Sequence, residues 1–185
     1  MALAPSHATA QPGELEPAPL RLPRDVRLTP EQFERVCQAN PEAVLELAVQ
    51  RTPEPLRIFD SSTGFRLPDG SVLSPDASLV REERWQAPTP ERRRGFPPLC
   101  PDLVVELAGS SEEGPRGVSD LRRKIDTYQA NGARLGWLLL PEEQAVEIWR
   151  GGQPGMAERQ ENASRLDGGV LAEGFALELE EIWGG

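Results

Sequence analysis

The chain has 185 residues, 38% of them hydrophobic and 27% charged, and carries a formal net charge of −10. That length suits one domain with its own core, the composition is that of a globular protein, and no apolar run approaches the roughly eighteen residues of a membrane span. The N-terminus has no positively charged leader ahead of an apolar stretch, so no secretion signal is expected and the setting is read as cytoplasmic. Cys37 and Cys100 have neither CxxC nor histidine-paired spacing, and reduced thiols fit that setting better than one disulfide.

Residues 1–24 are rich in proline, alanine and small polar residues without periodicity, which predicts a disordered tail ahead of a single domain over 25–185. Thr29-Pro30-Glu31-Gln32 has the form of a capping box and opens a helix whose stripe is Phe33, Val36 and Cys37. Asn40-Pro41-Glu42 repeats the signal for a second helix bearing Val44, Leu45, Leu47 and Ala48, although the same run could form a strand. Arg57 to Asp60 is expected to be a strand. Gly64–Leu67 and Val72–Val80 flank the turn Pro68-Asp69-Gly70-Ser71 and predict a hairpin. Arg81 to Pro98 is charged and contains prolines, as a loop with at most one helical turn would.

Asp102 to Ala108 is apolar on both faces except at Glu106, the pattern of a central strand covered on both sides. After the loop Gly109–Gly117, Ser119 can cap a helix running to Ala130 and ending at Asn131-Gly132. Leu135–Leu140 is a second buried strand, and Gln144–Trp149 alternates and should pair with it across Pro141-Glu142-Glu143. A polar stretch follows, then one or two short elements within Val170–Leu179. A helix inserted between two apolar strands, preceded by further strands and helices, predicts an α/β (α+β) fold, a mixed sheet flanked by helices.

The charge is unevenly spread. Ten acids face three arginines from Glu142 to Gly185, whereas Arg81–Arg94 holds five arginines against three glutamates and Pro115–Lys124 four bases against Asp120. A basic middle could meet a polyanion, or be an ordinary solvated face. The only histidine, His7, lies in the predicted tail, which argues against histidine general bases, Ser-His-Asp triads and histidine-ligated zinc. Neither a phosphate loop with its lysine nor a GxGxxG fingerprint occurs. Carboxylate and lysine chemistry remains.

Glu106 stands out because an isolated carboxylate inside an apolar strand is costly and needs a cation, a hydrogen-bond network or a metal; a structural salt bridge to an arginine would also satisfy it. Asp76 follows Pro75, where strand pairing should break and aim a side chain out of the sheet; a turn aspartate bonded to local amides is the alternative. Asp102 completes the letters Pro101-Asp102, yet four strand residues separate it from Glu106, about 13 Å, too far for one magnesium with ligands at about 2.1 Å. Lys124 is the only lysine beside nineteen arginines. It falls about 60° from Leu121, at the edge of the stripe Leu121, Ile125, Tyr128, while Arg122 and Arg123 are expected to point away. A compact, tunable ammonium is what arginine cannot supply, although one surviving lysine is also compatible with chance. Two carboxylates holding Mg²⁺ or Mn²⁺ beside a lysine would make a coherent device for phosphodiester hydrolysis.

Thr63-Gly64-Phe65-Arg66-Leu67-Pro68-Asp69-Gly70, Leu73-Ser74-Pro75-Asp76, Pro101-Asp102-Leu103-Val104-Val105-Glu106, Lys124 with Tyr128 and Gly132, and the closing Gly174-Phe175-Ala176-Leu177 occur in this order. As a set they resemble the restriction-endonuclease-like proteins of the PD-(D/E)XK superfamily, in particular bacterial members designated a domain of unknown function. The resemblance spans about residues 28–183. It implies a mixed sheet between helices, metal ligands at Asp76 and Glu106, catalytic residues Asp76, Glu106 and Lys124, and DNA as the partner. The superfamily lysine usually follows the glutamate by two residues, where this chain has Ala108; Lys124 on the next helix matches its displaced counterpart. The segment from Asn40 to Arg57 is shorter than in the family, and neither Glu42 nor Glu46 is assigned to the acid the family carries there.

Three functions therefore stay open: a metal-dependent nuclease, a degenerate relative that binds DNA or a protein without cutting, and a small oligomerising protein whose acidic C-terminal region makes contacts. Convergence of Asp76, Glu106 and Lys124 on one metal-sized space separates the first from the others.

Overall fold

Apolar runs with no polar relief have to be strands covered on both faces, and two of them form the middle of the sheet. The computed structural model describes residues 55–109, 115–151, 154–171 and 175–179 together with Trp183. The tail and the two helices expected before residue 55 lie outside the described residues. Six strands form one sheet: β1 (Leu56–Asp60), β4 (Ala77–Arg81), β5 (Leu103–Leu107), β6 (Leu135–Leu140), β7 (Ala145–Arg150) and β8 (Ala157–Glu161), in that spatial order. Only β5 and β6 run parallel; the other neighbours are antiparallel. The expected mixed sheet is present.

A parallel pair needs a crossover, and α3 (Pro115–Ala130) supplies it. The helix begins at Pro115 rather than at a Ser119 cap, because Val118 extends the apolar stripe backwards and packs with Leu121, Ile125 and Tyr128 against the sheet. It stops as foreseen: Gly132 takes a left-handed φ of 102°, and the Ala133 N–H turns back to the Tyr128 carbonyl at 3.0 Å.

The expected hairpin is shorter than its sequence suggests. The strands β2 (Phe65–Arg66) and β3 (Val72–Leu73) pair across the Pro68–Ser71 turn, where Gly70 adopts a φ of 90°. The chain then breaks at Pro75, and β4 leaves to join β1 and β5. Asn131, just past α3, holds the turn by accepting the Asp69 N–H and donating to its carboxylate, both at 2.9 Å. The segment read as a loop with one turn contains two short helices, α1 (Glu82–Gln86) and α2 (Pro90–Arg93).

Each face of the sheet has its own core. Val104, Leu138 and Trp149 pack under α3 with Phe65 and Leu67 of the hairpin. Leu103, Val105 and Trp137 face a ribbon of β9 (Arg165–Asp167) and β10 (Ala176–Glu178), where Phe175 stacks on Trp137 with ring centroids 5.9 Å apart. Neither β8 nor β9 is foreshadowed in the sequence, since AERQE is almost wholly exposed and lacks the alternation of a half-buried strand. No helix among the described residues is long and apolar enough to cross a membrane.

Helix α3 lies close on the sheet at Gly136, where an added Cβ would stand 2.5 Å from Ile125 Cγ2. Gly136→Ala should therefore lower stability by about 1–3 kcal/mol through overpacking, read as a drop in the denaturation midpoint by circular dichroism. Cys100 is a free, buried thiol under the same helix, pushed up to about 12 by burial. Because the unfolded thiol ionises nearer its reference value of 9.0, its contribution to stability is complete below that pH and is lost as pH rises towards 12. In a Cys37→Ser background, a thiol reagent at about pH 8 should label Cys100 only after unfolding.

Candidate active site

Register places the two carboxylates. Ala77 pairs with Val105 across the antiparallel β4–β5 ladder, so Asp76, one residue earlier, falls opposite Glu106. Opposed residues of such strands share a face with Cβ atoms about 5 Å apart. The proline break puts Asp76 just ahead of β4, where it is half-buried, and its Oδ2 accepts the Leu107 N–H at 2.8 Å. Glu106 is fully buried in the middle of the sheet.

Helix α3 brings the cation. Lys124 Nζ donates to Glu106 Oε2 at 2.8 Å, with a quarter of the lysine side chain still exposed. The edge-of-stripe phase expected from sequence gives this geometry: the apolar residues seat the helix, and Lys124 hangs over its shoulder towards β5. One turn later, Tyr128 is completely buried below the same shoulder. Its hydroxyl is held neutral chiefly by burial, with the nearby carboxylates of Glu106 and Asp76 adding to the effect. Sequence pattern assigned Tyr128 to the inward stripe, and only its buried hydroxyl distinguishes it from a core phenylalanine.

Glu106 is one member of a row that crosses the sheet. It pairs with Leu138, Leu138 with Glu147, and Glu147 with Arg159. Glu147 is also buried, and Arg122 on the opposite shoulder of α3 grips it with two bonds of 2.7 and 2.5 Å. This corrects the expectation that Arg122 points away. An arginine at right angles to the stripe is long enough to fold back onto the sheet. Arg123 does project outward. Helix α3 thus straddles Leu138 with a cation on each side, each on its own buried glutamate.

Asp102 stands at the other end of β5, as the spacing argument requires. It is fully buried, accepts the Arg81 N–H at 3.0 Å and meets Arg84 Nη1 at 2.8 Å. Its work is to tie β4, β5 and α1 together. Arg81 and Arg84 of the basic middle segment are engaged in that tie, and Arg57 and Arg93 lie over the Trp85 ring at 5.4 Å. Much of that positive charge is therefore structural.

The donor set suits a hard cation. Among the described residues no group of three or more His, Cys, Asp or Glu side chains is placed to hold a metal, and Asp76 with Glu106 offers two carboxylates. Magnesium commonly binds through one or two carboxylates and completes its sphere with water and substrate phosphate oxygens, so Asp76 and Glu106 fit it.

The Uma2 family model, described as "Putative restriction endonuclease", matches residues 27–180. A solved structure described as a putative nuclease belonging to DUF820 from Anabaena variabilis ATCC 29413 superposes with a TM-score of 0.61 at 20% identity. The match covers 85% of this chain and 83% of that one, and it shows a shared fold. No curated protein matches the chain.

Breaking the buried ion pair tests its geometry before any activity is measured. Lys124→Met should cost about 3 kcal/mol by stranding the Glu106 charge. Adding Glu106→Gln in that background should recover a large part of it. A urea double-mutant cycle with no coupling between the two positions would contradict the pairing.

Proposed function

The chain belongs to the Uma2 family, and on that footing we propose that it is a divalent-metal-dependent endonuclease hydrolysing phosphodiester bonds of DNA. The observation that carries the reading is the register of β4 on β5, which sets Asp76 opposite Glu106 while Lys124 closes on Glu106 from the helix above. Among the functions open to the sequence, only a hydrolytic site asks for these three groups in one place.

Asp76 and Glu106 would hold Mg²⁺ or Mn²⁺. When bound, the ion supplies Lewis-acid polarisation of the scissile phosphate and makes water at the site more acidic. The Leu107 N–H fixes one oxygen of Asp76, so that carboxylate is oriented before any ligand arrives. Lys124 keeps one N–H on Glu106 and has two others to direct at the attacking water or a phosphoryl oxygen, where an ammonium stabilises the charge that grows during attack. The backbone around the pair is strand on one side and helix on the other, which keeps the groups near their working geometry.

Supercoiled plasmid incubated with the purified protein and Mg²⁺ or Mn²⁺ should be nicked or linearised, and chelation should stop it. Asp76→Ala and Glu106→Ala should abolish cleavage, and Lys124→Ala should slow it on the order of 100-fold. DNA retained in a gel shift without metal, and no cleavage under any condition, would instead favour a degenerate, binding-only protein.

A further inference from the structure

Besides its cation shoulders, α3 buries two polar side chains against the sheet: Gln129, whose amide lies by Gly136, and Tyr128, on the Lys124 side. Tyr128 is 0% exposed, and its buried hydroxyl has no hydrogen-bond partner among the described residues. Burying a hydroxyl unbonded costs about 1–3 kcal/mol, and phenylalanine would fill the same space without that cost. Helical side chains lean towards the N-terminal turn, so the ring of Tyr128 tilts towards Lys124, four residues back on the same face, and hence towards the Glu106 carboxylate that Lys124 holds. A tyrosine hydroxyl is protonated at neutral pH, so it can donate a hydrogen bond to a carboxylate. A donor with no acceptor among the described residues thus lies near enough to feel the charges of Glu106 and Asp76.

We infer that Tyr128 is a positioning residue of the metal centre, its hydroxyl being the outer hydrogen-bond donor to the Asp76–Glu106 carboxylate pair when a divalent cation is held. The inference rests on the metal-site reading of those carboxylates. Donors behind metal-binding groups select one orientation of the carboxylate they meet and strengthen its hold on the ion. The stability given up in the metal-free protein is then recovered on binding. A purely structural Tyr128 would leave metal affinity untouched on conversion to phenylalanine.

Tyr128 is the only tyrosine in the chain, so ¹³Cζ-tyrosine labelling gives one resonance that reports the state of this hydroxyl. Titration with Mg²⁺ should move that resonance in the wild type and leave it unmoved in Asp76→Ala. By calorimetry, Tyr128→Phe should keep the wild-type melting temperature or exceed it, yet bind Mg²⁺ about tenfold more weakly. Wild-type affinity in Tyr128→Phe, with binding still dependent on Asp76, would overturn the inference and leave the metal site standing. A resonance unmoved by saturating Mg²⁺ in the wild type would do the same, and decides the matter should Tyr128→Phe fail to fold. No Mg²⁺ binding by the wild type would overturn the metal site and this inference with it.

Discussion

A glutamate in the middle of the sheet has to be answered by a cation, and the rest of the architecture arranges that answer. Glu106 interrupts the apolar strand Leu103–Leu107 at full burial, and Lys124 reaches it from α3. Buried ion pairs contribute little net stability, because desolvation consumes much of the Coulomb gain. What such pairs can contribute is registry. The helix that crosses from β5 to β6 could roll or slide on a purely aliphatic surface. With Lys124 on Glu106 and Arg122 on Glu147, a displacement to either side would pull one cation off its carboxylate. The two glutamates flank Leu138 in a single row, so the sheet itself sets the spacing that the two shoulders of the helix must match.

That constraint also explains where the chemistry gathers. Ligand sites in parallel-stranded structures form beyond the carboxyl ends of the strands, and Glu106 is near the carboxyl end of β5. The neighbouring β4 runs the other way, so its beginning lies at the same end of the sheet. Pro75 prevents β3 and β4 from forming one long strand, which frees Asp76 to sit ahead of β4 and accept the Leu107 N–H. At the opposite end Asp102 joins β4, β5 and α1 through Arg81 and Arg84. Asp102 therefore fastens the sheet at one end, while at the other end, on the proposed reading, Asp76 and Glu106 face a metal ion. The separation along β5 divides the two tasks.

How much of this could be read from sequence depended on whether the deciding contact was local. The strands around Val104 and Leu138 were legible because unbroken apolar runs admit little else, and helical phase sufficed to place Lys124 on a shoulder. Spacing alone set Asp102 apart from Glu106, but its partner Arg84 belongs to a different segment, so its actual role had no local signal. Arg122 was misjudged because an angle on a helical wheel ignores a side chain long enough to bend back to the sheet. The polar strand Ala157–Glu161 was missed because an edge strand draws its ladder bonds from β7 rather than from its own burial. Ser119 looked like a cap because the helical turn before it announces itself only through Val118. Convergence of Asp76 on Glu106 was the least legible step, since it needs the register of two segments about thirty residues apart.

On the proposed reading, the local charge of the site answers the apparent conflict between a −10 chain and a polyanionic substrate. Asp76, Glu106 and Lys124 together carry one negative charge, which would repel a phosphodiester. On the proposed reading, a divalent cation turns that into one positive charge, equal and opposite to a single backbone phosphate. Attraction would then be confined to the loaded site, and it would act where low dielectric makes it strongest. The arginines of Arg81–Arg94 contribute less to such attraction than their number suggests, because Arg81 and Arg84 are committed to Asp102. Affinity for nucleic acid would accordingly follow metal loading more closely than overall composition, and a metal-free protein of this charge would be a weak DNA binder.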